Sequence, residues 1–122
     1  MRNISISKGT KLSFIESAFI QRFPYLSLYF YKKAHNPRQT SDEKDIIDKE
    51  KTAGEVNPEI RSGLLRLDGQ MTVEEFEILM QERFGLNVQV FRLSHGKWLQ
   101  SWATDMWSLD EQNRRGELLG KA

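Results

Sequence analysis

The sequence predicts a single α+β domain over residues 1–122, built from two similar β-α-β units in series. Short stretches in which apolar and polar residues alternate, typical of half-buried strands, flank longer stretches with apolar residues at helical spacing. The same order of features returns sixty-one residues further along the chain, from Ile4 to Leu65, which indicates a duplicated unit. A chain of 122 residues is long enough to bury a core without disulfide bonds, and this one contains no cysteine.

The first unit opens with a predicted strand, in which Ile4 and Ile6 alternate with polar residues. A helix is predicted from Leu12 to Phe23, since apolar residues recur there three or four positions apart. Pro24 ends this helix because it lacks the N–H that a further turn requires. The aromatic-rich stretch after the proline alternates again and predicts a second strand.

The second unit repeats this order. Leu65 and Leu67 take the places of the two isoleucines and predict a third strand. The helix that follows opens with a capping box, Thr72 with Glu75, and the stretch 87–93 predicts a fourth strand. Two β-α-β units in series indicate a ferredoxin-like split βαβ arrangement, βαββαβ, with a four-stranded antiparallel sheet and both helices on one face.

Residues 34–60 connect the two units and are rich in charge but poor in large apolar side chains. A connection of this length is expected to be mobile or to carry function. Asp42, Asp45 and Asp48 recur at every third position, whereas calcium loops need ligands at alternate positions around a glycine turn. We therefore predict no metal site in this segment.

Two elements are expected beyond the repeated units. His95 and Gly96 suit a two-residue hairpin turn, so residues 97–103 predict a fifth strand beside the fourth. The C-terminal tail, residues 104–122, contains a further capping box that begins at Ser108 and predicts a short helix. The predicted fold is thus the ferredoxin-like arrangement with an added C-terminal β-strand and a short helix.

The predicted sheet has an unusually apolar face on the side away from its helices. The large side chains expected there are Tyr29, Tyr31, Leu64, Phe91, Leu93, Trp98 and Trp102. A bare patch of this kind exceeds what soluble monomers usually expose, so the tail, with Met106 and Trp107, is expected to cover it. The candidate binding surface consists of Tyr29, Tyr31, Phe91, Trp98, Trp102 and Trp107, with Arg66, Arg92 and Asp105 as possible polar partners.

Neither the charge nor the motifs of the chain indicate an enzyme. Lys and Arg number 18 against 17 Asp and Glu, so no global field attracts nucleic acid or anionic lipid. The motifs HExxH, GxSxG, Walker A and GxGxxG do not occur, and His35 and His95 fall in predicted turns. The acidic residues Glu74, Glu75 and Glu77 near the start of the second helix are explained by the helix dipole and by solubility. No catalytic residue, metal or cofactor is predicted.

We therefore expect a non-catalytic interaction or regulatory module that binds a protein partner, or a second copy of itself, through the aromatic face or a strand edge. The alternative is a single-stranded nucleic-acid-binding domain, although the aromatic residues fall on outer rather than central strands. A small-molecule-binding or sensor domain is the third possibility. A cytoplasmic protein without membrane contact is expected, since the start lacks the apolar core of a signal peptide and no apolar run could cross a bilayer.

Overall fold

The computed structural model describes residues 2–32, 43–100, 104 and 106–120. These residues form an α+β fold with two antiparallel sheets and four α-helices, together with one short 3-10 turn at Glu43–Asp45. The elements follow in the order β1 Arg2–Ile6, α1 Leu12–Arg22, β2 Leu26–Tyr31, α2 Ala53–Val56, β3 Gly63–Leu67, α3 Val73–Phe84, β4 Asn87–Ser94, β5 Lys97–Gln100 and α4 Leu109–Leu119.

The predicted α+β class is confirmed, and the strands and helices of both units lie at the predicted places. Helix α3 begins with the expected capping box: Thr72 Oγ1 accepts a hydrogen bond from the Glu75 N–H, and the Glu75 carboxylate accepts one from the Thr72 N–H, both at 3.0 Å. The hydrogen bond from the Thr72 N–H, followed by that from the Thr72 side chain, lowers the pKa of the Glu75 carboxyl group. Gly85 ends the helix in the left-handed conformation, with φ of 65°, which glycine adopts without strain.

The strand pairing differs from the single sheet that was predicted. β1 pairs with β3, while β2 pairs with β4 and β5 extends that second sheet, in the order β2-β4-β5. A ferredoxin-like sheet would hold β2 and β4 at opposite edges, so their direct pairing replaces the predicted order within the described residues. The physical reason is that alternation determines which face of a strand is buried but not which neighbour it pairs with. Here the register sets Leu28 opposite Val90, both in the core, and Tyr29 opposite Gln89 on the other face of the strands.

One core joins both sheets and their helices. The apolar sides of the strands supply Ile4, Ile6, Leu26, Leu28, Phe30, Leu65, Leu67, Val88 and Val90, all buried. Helices α1 and α3 meet above them, with the ring centroids of Phe19 and Phe76 5.2 Å apart. Each such side chain stabilises the fold by roughly 1.5–3 kcal/mol relative to an exposed one. The periodicity of the sequence therefore identified the core correctly although the pairing was different.

The described part of the connection between the units packs against the first unit. The Ile47 N–H donates to the Phe30 carbonyl at 2.7 Å, along the edge of β2 that is opposite to β4. The Ala53 N–H donates to the Thr10 carbonyl at 2.7 Å, at the start of α2, and Ile47 and Ala53 are buried. The mobility predicted for residues 34–60 stays a prediction, and Asp42 lies outside the described residues.

The C-terminal helix is fastened to the start of α3. Ser108 Oγ accepts a hydrogen bond from the Glu111 N–H at 3.0 Å, which confirms the predicted helix start. The Val73 N–H donates to the Trp107 carbonyl at 3.0 Å, and the Leu109 N–H donates to the Met71 carbonyl at 2.9 Å. Backbone hydrogen bonds thus attach the tail to the second unit.

The tail does not cover the aromatic face with the side chains that were expected to do so. Met106 is exposed and Trp107 is half-buried beside Arg92, whereas Leu109 enters the common core. A Cβ atom built on Gly116 would lie 3.4 Å from Cγ of Arg92, which shares its side of β4 with the core residues Val88 and Val90. The middle of the helix therefore packs on the core side of the sheet, where Leu109 is buried, while its end at Gly120 approaches Leu93.

Candidate functional site

The predicted aromatic face is accessible only in part. Tyr29 and Phe91 are half-buried and contact each other edge to face, with ring centroids 4.9 Å apart and an interplanar angle of 73°. Tyr31, at the end of the same strand, is 1% exposed. The structure therefore brings Tyr29 and Phe91 together but leaves Tyr31 unavailable to a partner.

A cation lies over the accessible tyrosine. The Lys49 Nζ atom lies 3.8 Å from the centroid of the Tyr29 ring and forms an ion pair with the carboxylate of Glu16 on α1. A cation over an aromatic ring contributes about 0.5–1 kcal/mol at an exposed site. Tyr29 is thus engaged by its own chain rather than open to a ligand.

The centre of this face is closed as well. Gln89, which pairs with Tyr29, is 0% exposed, and its side-chain amide makes no hydrogen bond with the described residues. Burial of an amide without hydrogen-bond partners is destabilising, and at 0% exposure this side chain offers no surface to a ligand. Trp102 and Asp105, two of the predicted site residues, lie outside the described residues.

The accessible apolar side chains of this sheet lie instead on β5. Trp98 is 44% exposed and Leu99 is 47% exposed, and as neighbours in a strand they point to opposite faces. β5 is the last strand of its sheet, and its outer edge pairs with no strand of the described chain. The hairpin before it is confirmed, because His95 and Gly96 both have positive φ, 51° and 77°.

The pairing geometry gives the direction of the free backbone groups of β5. A two-residue hairpin turn is flanked by a hydrogen-bonded pair, here Ser94 with Lys97, and such pairs alternate along an antiparallel ladder. Leu93 and Trp98 therefore form a pair without ladder hydrogen bonds. The N–H and C=O of Trp98 consequently point away from β4, toward the open edge.

A cluster of arginines surrounds Trp107 on the Leu99 side of the sheet. The guanidinium carbon of Arg92 lies 5.8 Å from the Trp107 ring centroid, and that of Arg115 lies 5.1 Å from it. Arg92 is directly opposite Leu99 in the ladder between β4 and β5. The sequence proposed Arg92 and Trp107 as site residues, and the structure brings them together.

The acidic group of this cluster is already paired. The Glu111 carboxylate accepts hydrogen bonds from Arg114 at 2.8 Å and 2.9 Å and from Arg115 Nε at 3.2 Å. The hydrogen bond from Arg114, followed by that from Arg115, lowers the pKa of Glu111 from 4.5 to about 2. Arg92, in contrast, has no carboxylate partner among the residues that the structure describes.

Arg66, the remaining predicted polar partner, does not belong to this surface. It lies on β3, opposite Asn3, in the two-stranded sheet. Its side chain is exposed there, on the face of the ribbon away from Leu65 and Leu67. The sequence grouped it with the aromatic residues because it assumed that all strands share one sheet.

A shallow groove of about 750 Å³ between β1 and α1 was not predicted from the sequence. Its lining is formed by Ser5, Gly9, Thr10, Lys11, Ser13, Phe14 and Ser17. Phe14 is exposed beside it, and Lys11 forms an ion pair with Glu50 at 3.2 Å. The signal for this groove was present in the sequence, since Phe14 falls outside the buried stripe of α1.

Within the described ranges, no group of three or more His, Asp or Glu residues could hold a metal ion. No helix there is both long and apolar enough to cross a bilayer. Comparison with models of protein families, with curated proteins and with solved structures finds no match to this chain.

Proposed function

We propose that this protein is a small cytoplasmic interaction module without catalytic activity, which binds an extended segment of a protein partner along β5. The observation that supports this function is the exposure of Trp98 and Leu99 on either side of a strand edge that pairs with no strand of the described chain. Soluble proteins usually protect such edges with charge, proline or a covering segment, because an open edge pairs with other chains. β5 carries one charged residue, Lys97, beside two large apolar ones.

Strand addition would use these groups in a defined way. The outward N–H and C=O of Trp98 would pair with the backbone of the incoming segment. The side chains of the incoming segment would alternate, so that successive residues cover Trp98 on one face and Leu99 on the other. Burial of the exposed part of each side chain would contribute on the order of 1 kcal/mol.

The experiment uses the full chain and a displayed library of random short peptides. Peptides that are selected would be titrated into isotope-labelled protein, and the amide shifts should concentrate at residues 97–100. Trp98→Ala should weaken binding roughly tenfold, as expected for a central tryptophan of a binding site. Trp98→Pro should weaken it further, because proline also removes the outward N–H and is tolerated at strand edges.

Ile78→Ala is the matched control, since Ile78 is a similarly exposed apolar residue on α3. It should leave binding unchanged. Shifts that concentrate in the groove between β1 and α1, or the selection of no peptide, would contradict the proposed function. Equal losses for Trp98→Ala and Trp98→Pro would argue for docking of side chains without strand addition.

A second candidate function is the binding of single-stranded nucleic acid. The exposed Trp98 offers a surface for base stacking, and Lys97 and Arg92 offer positive charge nearby. Binding of this kind weakens steeply with salt, whereas pairing of an uncharged peptide with β5 would change little. Titration of a short oligothymidine at two salt concentrations separates the two functions.

A further inference from the structure

The two faces of β5 differ in chemistry. Trp98 shares its face with Leu93 and Phe91 of β4, so that side of the strand is apolar and aromatic. Lys97 and Leu99 share the other face with Arg92. A segment that pairs with β5 therefore meets an apolar surface with every second side chain and a basic surface with the others.

Among the residues that the structure describes, the basic face has an excess of positive charge. Lys97 and Arg92 form no ion pair with the described residues, and Arg115 shares the single Glu111 carboxylate with Arg114. Trp107 holds the Arg92 and Arg115 guanidinium groups close to its ring, at 5.8 Å and 5.1 Å. Two like charges near one ring repel each other, and an incoming carboxylate would relieve that repulsion.

The other carboxylates of α4 do not neutralise this charge. At 100° per residue, Asp110 and Glu117 lie on the opposite flank of the helix from Arg115. Asp110 pairs there with Arg22 of α1 at 3.2 Å. Arg115 and Glu111 lie on the flank of α4 that is near Arg92.

The distances allow a carboxylate of the partner to reach Arg92. Neighbouring strands are about 4.8 Å apart, so a residue paired with Leu99 lies about 10 Å from the Arg92 backbone. An arginine and a glutamate side chain that lean toward each other over Leu99 span this separation together. The fork of the guanidinium also suits a carboxylate better than a lysine ammonium does.

We infer that the partner segment is an acidic strand in which apolar residues alternate with acidic ones, and that Arg92 pairs with its carboxylate across Leu99. This inference rests on the proposed function, because it assigns the chemistry of the segment that β5 binds. Apolar residues of the segment cover Trp98, and its acidic residues face Lys97, Arg92 and the arginines of α4.

The test compares two blocked hexapeptides, VTVEVT and VTVQVT, that differ in one charge. Each is titrated into the isotope-labelled full chain at low salt. The glutamate peptide should bind roughly three- to tenfold more tightly, as for one partly exposed, charge-assisted pair. Arg92→Gln should remove this difference, because it keeps most of the aliphatic stem but loses the charge, while Arg92→Lys should restore part of it.

Arg61→Gln is the control, since Arg61 is exposed before β3 and outside this surface. The difference between the peptides should persist in that variant. Equal affinities with shifts at β5 would overturn the acidic preference while the proposed function stands. Absence of shifts at β5 with both peptides would overturn the proposed function itself. An Arg92-dependent response to a short oligothymidine that exceeds the response to both peptides would assign the surface to nucleic acid instead.

Discussion

The carboxylate of Glu77, on α3, accepts a hydrogen bond of 2.9 Å from the backbone N–H of Val90, in the middle of β4. The side chain is 8% exposed, so it lies between helix and sheet rather than in solvent. The sequence suggested that Glu77 belongs with the solvated acidic residues at the start of the helix. In the fold it joins α3 to β4 through the sheet backbone.

Replacement of Glu77 by alanine should therefore destabilise the protein by about 1–3 kcal/mol, because the N–H of Val90 loses a buried acceptor. Glu82→Ala is the control, since Glu82 lies on the same helix and is exposed. It should change stability by less than about 0.5 kcal/mol. Urea unfolding followed by circular dichroism measures both, and equal effects would refute a structural role for the Glu77 carboxylate.

The case of Glu77 shows what periodicity can and cannot predict. Ile4 and Ile6, and likewise Leu65 and Leu67, stand at every second position, and this spacing identified the buried strand faces because burial acts on each residue separately. Which strand lies beside which depends on the whole chain. The predicted ferredoxin-like order and the observed order bury the same side chains, so burial alone does not distinguish them. A carboxylate among helix residues likewise gives no local sign that a strand N–H lies opposite to it.

The candidate site was predictable to a similar degree. Trp98 was expected on an outer strand beside a tight turn, and it lies there, exposed. The closure of the sheet around Tyr31 and Gln89 could not be predicted, because it depends on how distant segments pack. The approach of Trp107 to Arg92 also arises from the long-range docking of α4.

The docking of α4 depends on a glycine. A Cβ atom at Gly116 would lie 2.8 Å from Cβ of Tyr25 and 2.9 Å from its carbonyl oxygen, closer than ordinary contact. Gly116→Ala should therefore destabilise the protein by about 1–3 kcal/mol, although alanine normally favours a helix over glycine by about 1 kcal/mol.

Gly9→Ala is the matched control for this substitution, because a Cβ atom there meets nothing within 4 Å. Its melting temperature should stay the same or rise slightly, since alanine reduces the freedom of the unfolded chain. A Gly116→Ala variant that melts at a higher temperature than the natural protein would show that α4 can move away from Tyr25.

The ion pairs of Glu111 make part of the stability dependent on pH. The hydrogen bonds from Arg114 and Arg115 lower the folded-state pKa of Glu111 to about 2, below its ordinary value of 4.5. A lowered pKa means that this contribution is fully present above pH 4.5 and is lost as the pH falls toward 2. Glu111→Gln should therefore be less stable than the natural protein at neutral pH. This difference in stability should shrink as the pH falls from 4.5 toward 2.

Urea unfolding at a series of pH values measures this difference. Glu117→Gln is the control, because Glu117 lies on the same helix and forms no ion pair within the described part of the chain. Its stability should follow that of the natural protein at each pH. A gap between Glu111→Gln and the natural protein that stays constant from neutral pH to pH 2 would contradict the assignment.

Two buried glutamines should respond in opposite directions to the same substitution. Gln89 and Gln112 are both 0% exposed, but the amide of Gln89 bonds to none of the described residues. The Nε2 of Gln112 donates to the carbonyl oxygen and to Oγ1 of Thr104, both at 2.6 Å. Methionine has a similar volume and no amide, so it removes the cost of burying that group together with any hydrogen bond it makes.

Gln89→Met should therefore stabilise the protein by about 1–2 kcal/mol, because nothing is lost in exchange for the buried amide. Gln112→Met should destabilise it by about 1 kcal/mol, because the two oxygen atoms of Thr104 lose their donor, a loss that exceeds the gain from removing the unpartnered Oε1 of Gln112. Unfolding in urea, with both variants measured under one condition, gives the two signs directly. A loss of stability in Gln89→Met would show that its amide is satisfied in solution, and the inner part of the aromatic face would then be polar rather than closed.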